Sequence, residues 1–112
     1  MAGVYAELLG GGGIVLATER TGFRHVYHLY VVRVPDRDRV MEFLDRKGIA
    51  TGIHYPVVLP LSKPYSRLGY KPGDFPAAER CAGEILSLPM FPELTMEQVT
   101  YICEALKEAV SL

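Results

Sequence analysis

The residues best suited to chemistry stand together in the run GIATGIHYPV, residues 48–57. His54 can donate or accept a proton near neutral pH. Tyr55 adds a flat aromatic face and a hydroxyl. Pro56 fixes the backbone direction and pushes Tyr55 toward an extended conformation. Such a trio can form the wall of a pocket for a polar ligand, or it can anchor a packed loop. The residue pattern leaves both readings open.

Other reactive side chains lack a partner in sequence. His25 and His28 lie three apart in a strand-like run, so they face opposite ways and cannot chelate one metal as a local pair. His28 reads as a sheet histidine or as a catalyst, the former being the commoner case. Ser62, Ser66, Ser87 and Ser111 have no nucleophile-elbow motif around them. The carboxylates fall mostly on helix surfaces without paired acid/base spacing. Cys81 and Cys103 are the two cysteines, without CxxC or Cys/His metal spacing. They read as reduced core thiols, which favours a cytoplasmic protein. No metal site is expected. The run GGGGIV departs from the dinucleotide fingerprint, because Val15 stands where G-x-G-x-x-G needs its last glycine and no strand precedes it.

The elements that must position these residues follow from periodicity and punctuation. His25–Val34, rich in Val and Tyr, is the strongest strand signal. Its two faces are both largely apolar, so a central strand is expected. Ile14–Leu16 and Ile49–Ile53 read as short strands, and Leu86–Leu88 as an edge strand stopped by Pro89. Asp36 is a candidate N-cap for a helix with Val40, Phe43 and Leu44 on its apolar stripe. Gly48 suits the left-handed position that ends it, with Ile49 closing the cap. Residues 56–74 contain Pro56, Pro60, Pro64, Gly69 and the Pro72-Gly73 pair, and only Tyr65–Leu68 could make a helical turn there. Loops of that length in small domains tend to be functional. Another helix starts at Asp74 or Phe75, with Pro76 in its first turn. The last helix carries a capping box, Thr95 and Gln98, and a hydrophobic staple, Leu94 and Val99. Its buried stripe is Val99, Ile102, Cys103, Leu106, Ala109 and Val110.

At the N-terminus, Val4, Tyr5, Leu8 and Leu9 recur at helical spacing with no cap upstream. A frayed helix and the tail of a longer segment fit equally. The order of elements predicts an α+β two-layer sandwich, a small, mostly antiparallel sheet covered by helices, in one domain spanning residues 1–112. Composition agrees: 49% hydrophobic and 22% charged residues are ordinary globular values. A net charge of −1 with no basic stripe argues against nucleic acid as a partner. The N-terminal stretch lacks the charged and apolar regions of a signal peptide. No apolar run approaches the roughly 20 residues that span a bilayer.

Several motifs occur in order: HVYHLYVVR, GIATGIHYP, LGYKPGDFPAAE and LSLPMFPEL. Through them residues 25–110 resemble the C-terminal domain of the DegT/DnrJ/EryC1/StrS aminotransferases. Those are fold type I pyridoxal-phosphate enzymes that mostly aminate nucleotide-linked keto-sugars. The resemblance implies a dimeric enzyme of two domains, of which this chain is the small one. The cofactor and its Schiff-base lysine would belong to a large domain upstream, so this chain alone would bind no cofactor, hold no catalytic residue and show no transaminase activity. His54 and Tyr55 would shape the substrate side of the cleft, and the loop to Tyr65 would line or cover it. One departure stands out: many family members carry a second histidine where this chain has Pro60, which offers neither a ring nitrogen nor a backbone N–H. A free-standing ligand- or protein-binding module, or an inert fragment, are the alternatives to an enzyme's small domain.

Overall fold

The structure, a computed structural model, describes residues 2–111. Its elements in order are α1 (Ala2–Leu9), β1 (Val15–Leu16), β2 (Tyr30–Arg33), α2 (Arg37–Arg46), α3 (Pro76–Glu84), β3 (Ile85–Leu88) and α4 (Met96–Ser111). Two 3-10 stretches, Leu59–Leu61 and Lys63–Leu68, interrupt the long loop between α2 and α3. The three strands form one antiparallel sheet in the order β1-β2-β3. β2 is therefore central and β3 an edge strand, and the fold is the expected α+β arrangement.

Alternation along the strands separates core from surface. Tyr30 and Val32 of β2 and Leu86 and Leu88 of β3 are buried, in register with one another. They meet Tyr5 and Leu9 of α1, Val40 and Leu44 of α2, and Val99, Ile102, Cys103 and Leu106 of α4 in a single apolar cluster. Tyr5 stacks on Tyr30 with centroids 4.7 Å apart, and its hydroxyl donates to the Pro89 carbonyl at 2.7 Å. That bond ties α1 to the end of β3 and satisfies a phenol which the packing would otherwise leave dry. Burial pushes the Tyr5 phenol well above the usual range, with Cys103 and Tyr30 adding to it.

The caps form as their residue types dictate. The Thr95 amide donates to Gln98 Oε1 at 2.9 Å, and the Gln98 amide to Thr95 Oγ1 at 3.1 Å, completing the capping box. Leu94 and Val99 are both buried in the cluster. α2 ends with Gly48 at φ 79°, and the Ile49 amide reaches back to the Leu44 carbonyl at 2.9 Å. Its start differs from expectation. Asp36 occupies the N-cap position, but with φ 48° and no side-chain cap bond. Arg37 does the fastening there instead: its Nη1 donates to the carbonyls of Ala82 and Ile85 at 2.9 and 3.0 Å, satisfying groups at the end of α3 that the helix leaves unpaired.

Two strand expectations are corrected. β2 begins at Tyr30 rather than His25, because Tyr27 adopts φ 52°, a left-handed conformation that cannot continue a pleat. Tyr27 stacks between His25 at 4.0 Å and Tyr30 at 5.6 Å, and its amide donates to His25 Nδ1 at 2.8 Å. His25 and His28 thus lie on a folded-back loop, both exposed, and not on opposite sheet faces. Residues 49–53 form a single bridge, Gly52 with Ser87, rather than a strand.

The radius of gyration is 15.4 Å, against about 13 Å for a compact domain near this length. Two loops flank the core and carry exposed apolar residues. Phe23 and Val26 on one, and Tyr55, Val57, Leu59, Leu68 and Tyr70 on the other, are all exposed.

Candidate functional site

The HYP segment is held by β3. The Gly52 amide donates to the Ser87 carbonyl at 3.2 Å, and the Ser87 amide to the Gly52 carbonyl at 2.8 Å. That pairing delivers His54 over the same serine, with Nδ1 of the imidazole 2.7 Å from Ser87 Oγ. Gly52 lets the ring lie close underneath: a Cβ there would stand 3.0 Å from His54 Cε1, and the ring would have to give by a few tenths of an ångström. Tyr55 meets the imidazole edge-on at 5.5 Å and is 73% exposed. The His54–Tyr55 peptide bond is cis.

The Ser87–His54 contact is satisfied by either tautomer. With Oγ–H donating, the ring presents an N–H at Nε2; with Nδ1–H donating, Nε2 is an acceptor. In both, Nε2 has no hydrogen-bond partner among the described residues and remains free for a ligand. Ser87 is 5% exposed, so its hydroxyl acts by orienting the ring and is withdrawn from attack on a substrate. The sequence missed this role, since Ser87 carries no catalytic motif. The signal available was its position: a polar residue between two leucines in a short apolar strand must find a buried partner.

Tyr65 lies in the second 3-10 stretch and is 39% exposed. Among the described residues, no hydrogen bond or ring contact joins it to His54 or Tyr55. The structure therefore brings together two of the three expected residues, adds Ser87, and leaves Tyr65 on the neighbouring loop. Pro60 sits in the first 3-10 stretch, where its fixed φ suits the tight turn.

A pyridoxal phosphate does not fit the described residues. Its Schiff-base lysine needs a desolvated position. Lys47, Lys63, Lys71 and Lys107 are all exposed; Lys47 lies 3.6 Å from Glu108 and 5.5 Å over the Phe43 ring. Among the described residues no group of three or more His, Cys, Asp or Glu could hold a metal ion, and no helix is long and apolar enough to cross a membrane.

A family model described as the DegT/DnrJ/EryC1/StrS aminotransferase family matches residues 1–107. The chain belongs to this family. Among its relatives in the DegT/DnrJ/EryC1/StrS family, a "pleiotropic regulatory protein" of Geobacillus stearothermophilus is 46% identical over 110 residues, 96% of this chain and 30% of the relative. A dTDP-3-amino-3,4,6-trideoxy-alpha-D-glucose transaminase of Micromonospora megalomicea subsp. nigra is 36% identical over 107 residues, covering 95% and 29%. The crystal structure of S. venezuelae DesV in complex with a ketimine intermediate superposes with a TM-score of 0.94 at 36% identity, over 99% of this chain and 30% of DesV. The chain thus spans less than a third of the length of these relatives.

Proposed function

We propose that this chain is the small domain of a pyridoxal-phosphate-dependent aminotransferase acting on nucleotide-linked keto-sugars, and that His54, Tyr55 and Tyr65 face the substrate. One observation carries the reading: nearly the whole chain superposes on under a third of DesV at a TM-score of 0.94. The exposed apolar residues of the two loops support it, since a large domain or a second subunit would cover them. Dimerisation of the complete enzyme belongs to the same proposal.

In this role the chain's own residues bind and orient. Ser87 holds the imidazole, and His54 Nε2 offers one hydrogen bond to a substrate hydroxyl or carbonyl. Tyr55 adds a face and a hydroxyl beside it, and the 59–68 segment with Tyr65 limits the pocket's far side. The cofactor and its lysine are supplied by a large domain, because this chain's lysines offer no suitable position. Pro60 removes one hydrogen-bonding group that many family members have, which narrows the polar substituents the site can read.

The test is to size the native polypeptide that carries this sequence and to assay it. The expected result is a polypeptide about three times as long as this chain, aminating a nucleotide-linked keto-sugar from glutamate, with His54→Ala raising KM. The 112-residue chain alone, supplied with cofactor, is expected to be inactive. Amination by that pure short chain would overturn the reading, as would failure of the long polypeptide to aminate any such sugar. A second reading, a free-standing binding module, draws on the exposed apolar residues of the two loops, which a partner would cover. It predicts a native polypeptide of 12.4 kDa that self-associates or captures a partner. A 12.4 kDa polypeptide binding neither partner nor nucleotide sugar would be an inert fragment.

A further inference from the structure

The loop between His54 and α3 is fastened at its two ends. Among the described residues, 55–70 make hydrogen bonds only with one another, as in the turns closed by the amides of Leu61, Ser62, Tyr65 and Gly69. Pro56, Pro60 and Pro64 and the two 3-10 stretches stiffen the segment internally. Tyr55, Val57, Leu59, Leu68 and Tyr70 are exposed, so core packing does little to set its direction. A stiff segment of this kind takes its direction from its attachments. One is the Gly52–Ser87 bridge, with His54 on the Ser87 hydroxyl. The other lies at the far end.

That far attachment is Glu79, in the first turn of α3. Its carboxylate accepts the Gly73 amide through both oxygens, at 2.9 Å to Oε1 and 3.0 Å to Oε2, and the Phe75 amide through Oε2 at 3.1 Å. The Glu79 amide in turn donates to the Phe75 carbonyl at 2.9 Å, so the two residues are bonded in both directions. Hydrogen bonds to a charged acceptor are the stronger kind, and a carboxylate in a first helical turn also suits the helix dipole. Gly73, at φ 97°, is where the chain would otherwise turn most freely. Asp74 reinforces the turn, its carboxylate accepting the Lys71 amide at 2.9 Å. Phe75 then meets Tyr70 edge-on at 5.0 Å, which carries the constraint into the loop. An ordinary cap serves the helix's own first amides. Glu79 instead reaches upstream of the N-cap position, Phe75, to Gly73. It makes no ion pair among the described residues, whereas Glu84 on the same helix binds Arg33 and Arg80. Its charge is directed at the loop backbone.

We propose that Glu79 is a positioning residue for the candidate site. By clamping Gly73 and Phe75 it fixes how 55–70 leaves the core, and so where Tyr65 and Tyr70 stand relative to His54. It acts through the loop and touches no substrate itself. That the loop faces substrate rests on the aminotransferase reading; the clamp rests on its own geometry.

The experiment has two arms, each with Glu79→Ala and the isosteric Glu79→Gln. In the 112-residue chain, backbone residual dipolar couplings compare residues 59–68 with the core strands. The loop should share the alignment of the core in the unchanged chain. In Glu79→Ala its couplings should average toward zero while the strands keep theirs, and Glu79→Gln, which retains one acceptor oxygen, should fall between. In the long polypeptide, Glu79→Ala should raise KM for the keto-sugar by about tenfold, the scale of lost charge-assisted hydrogen bonds. kcat should hold, the mark of lost binding without lost chemistry. A residue that only caps α3 would lower stability and leave both the loop couplings and KM unchanged; that result overturns the proposal. Averaged couplings with an unmoved KM overturn it too. If Glu79→Ala unfolds the chain, Glu79→Gln decides by the same readouts. Should the long polypeptide aminate no such sugar, the aminotransferase reading fails and the couplings alone decide the clamp.

Discussion

The imidazole Nδ1 of His54 lies 2.7 Å from the hydroxyl of Ser87, 33 positions away in the sequence. The serine is buried, and the histidine is exposed. A core residue thereby dictates the direction of a surface side chain. Removing the hydroxyl as Ser87→Ala should cost about 1 kcal/mol, the net worth of one hydrogen bond. The imidazole should then sample several rotamers, seen as sharpened, averaged ring-proton signals. A ring that stays fixed would mean that Tyr55, not Ser87, orients it.

Gly52 acts on the same ring from below. A methyl group at Gly52 would press His54 Cε1 from 3.0 Å, so Gly52→Ala should displace the ring and cost about 1 kcal/mol. Because both changes break one contact, the double variant with Ser87→Ala should cost clearly less than the sum. Strict additivity in urea denaturation would show that Gly52 matters for its backbone instead.

Tyr5→Phe deletes the donor to the Pro89 carbonyl at 2.7 Å. It should destabilise by about 1 kcal/mol, since a half-buried acceptor loses its partner. Faster hydrogen exchange confined to α1 would show the helix loosening from the sheet end. No change in exchange would place the tie elsewhere.

Glu84 gives an acid-limb prediction. Hydrogen bonding from Arg33, and then Arg80, lowers its pKa against an opposing desolvation. A depressed folded pKa means that the unfolded state binds the proton more readily. The stabilisation is therefore complete above the ordinary glutamate pKa, about 4.3, and is lost as pH falls below it through the folded value. Glu84→Gln should flatten stability against pH in that acid window and leave the shape near pH 7 unchanged. An unaltered acid limb would rule out this ion pair as its source.

The cysteines should react very differently. Burial pushes the Cys103 thiol up to about 11, while Cys81 is only half-buried on α3. At pH 8 an alkylating reagent should modify Cys81 in the folded chain and reach Cys103 only on unfolding. Equal rates for the two would indicate that α4 opens locally.

Much of this chain is written in local code. Thr95 with Gln98, Gly48 with Ile49, and Pro76 in a first turn each specify a helix end, because their effects act within a few residues along the backbone. The apolar stripe of α4 was equally legible, since a 3.6-residue period needs no knowledge of what covers it. The motif run from His25 to Leu94 carried the family. His54 and Tyr55 stood out as a pair because two functional side chains before a proline are visible in one glance at the sequence.

What the tertiary structure alone decided depends on contacts across long separations. The strand expected from His25 shortened to Tyr30–Arg33 because aromatic stacking of Tyr27 on His25 and Tyr30 favours a left-handed turn over five more paired residues. The expected strand at 49–53 shrank to one bridge because only Gly52 pairs with the β3 edge, at Ser87. Ser87 became part of the site only when that bridge carried His54 over it. Hydrogen-bond partners of a buried hydroxyl are chosen by three-dimensional proximity, which residue spacing does not encode.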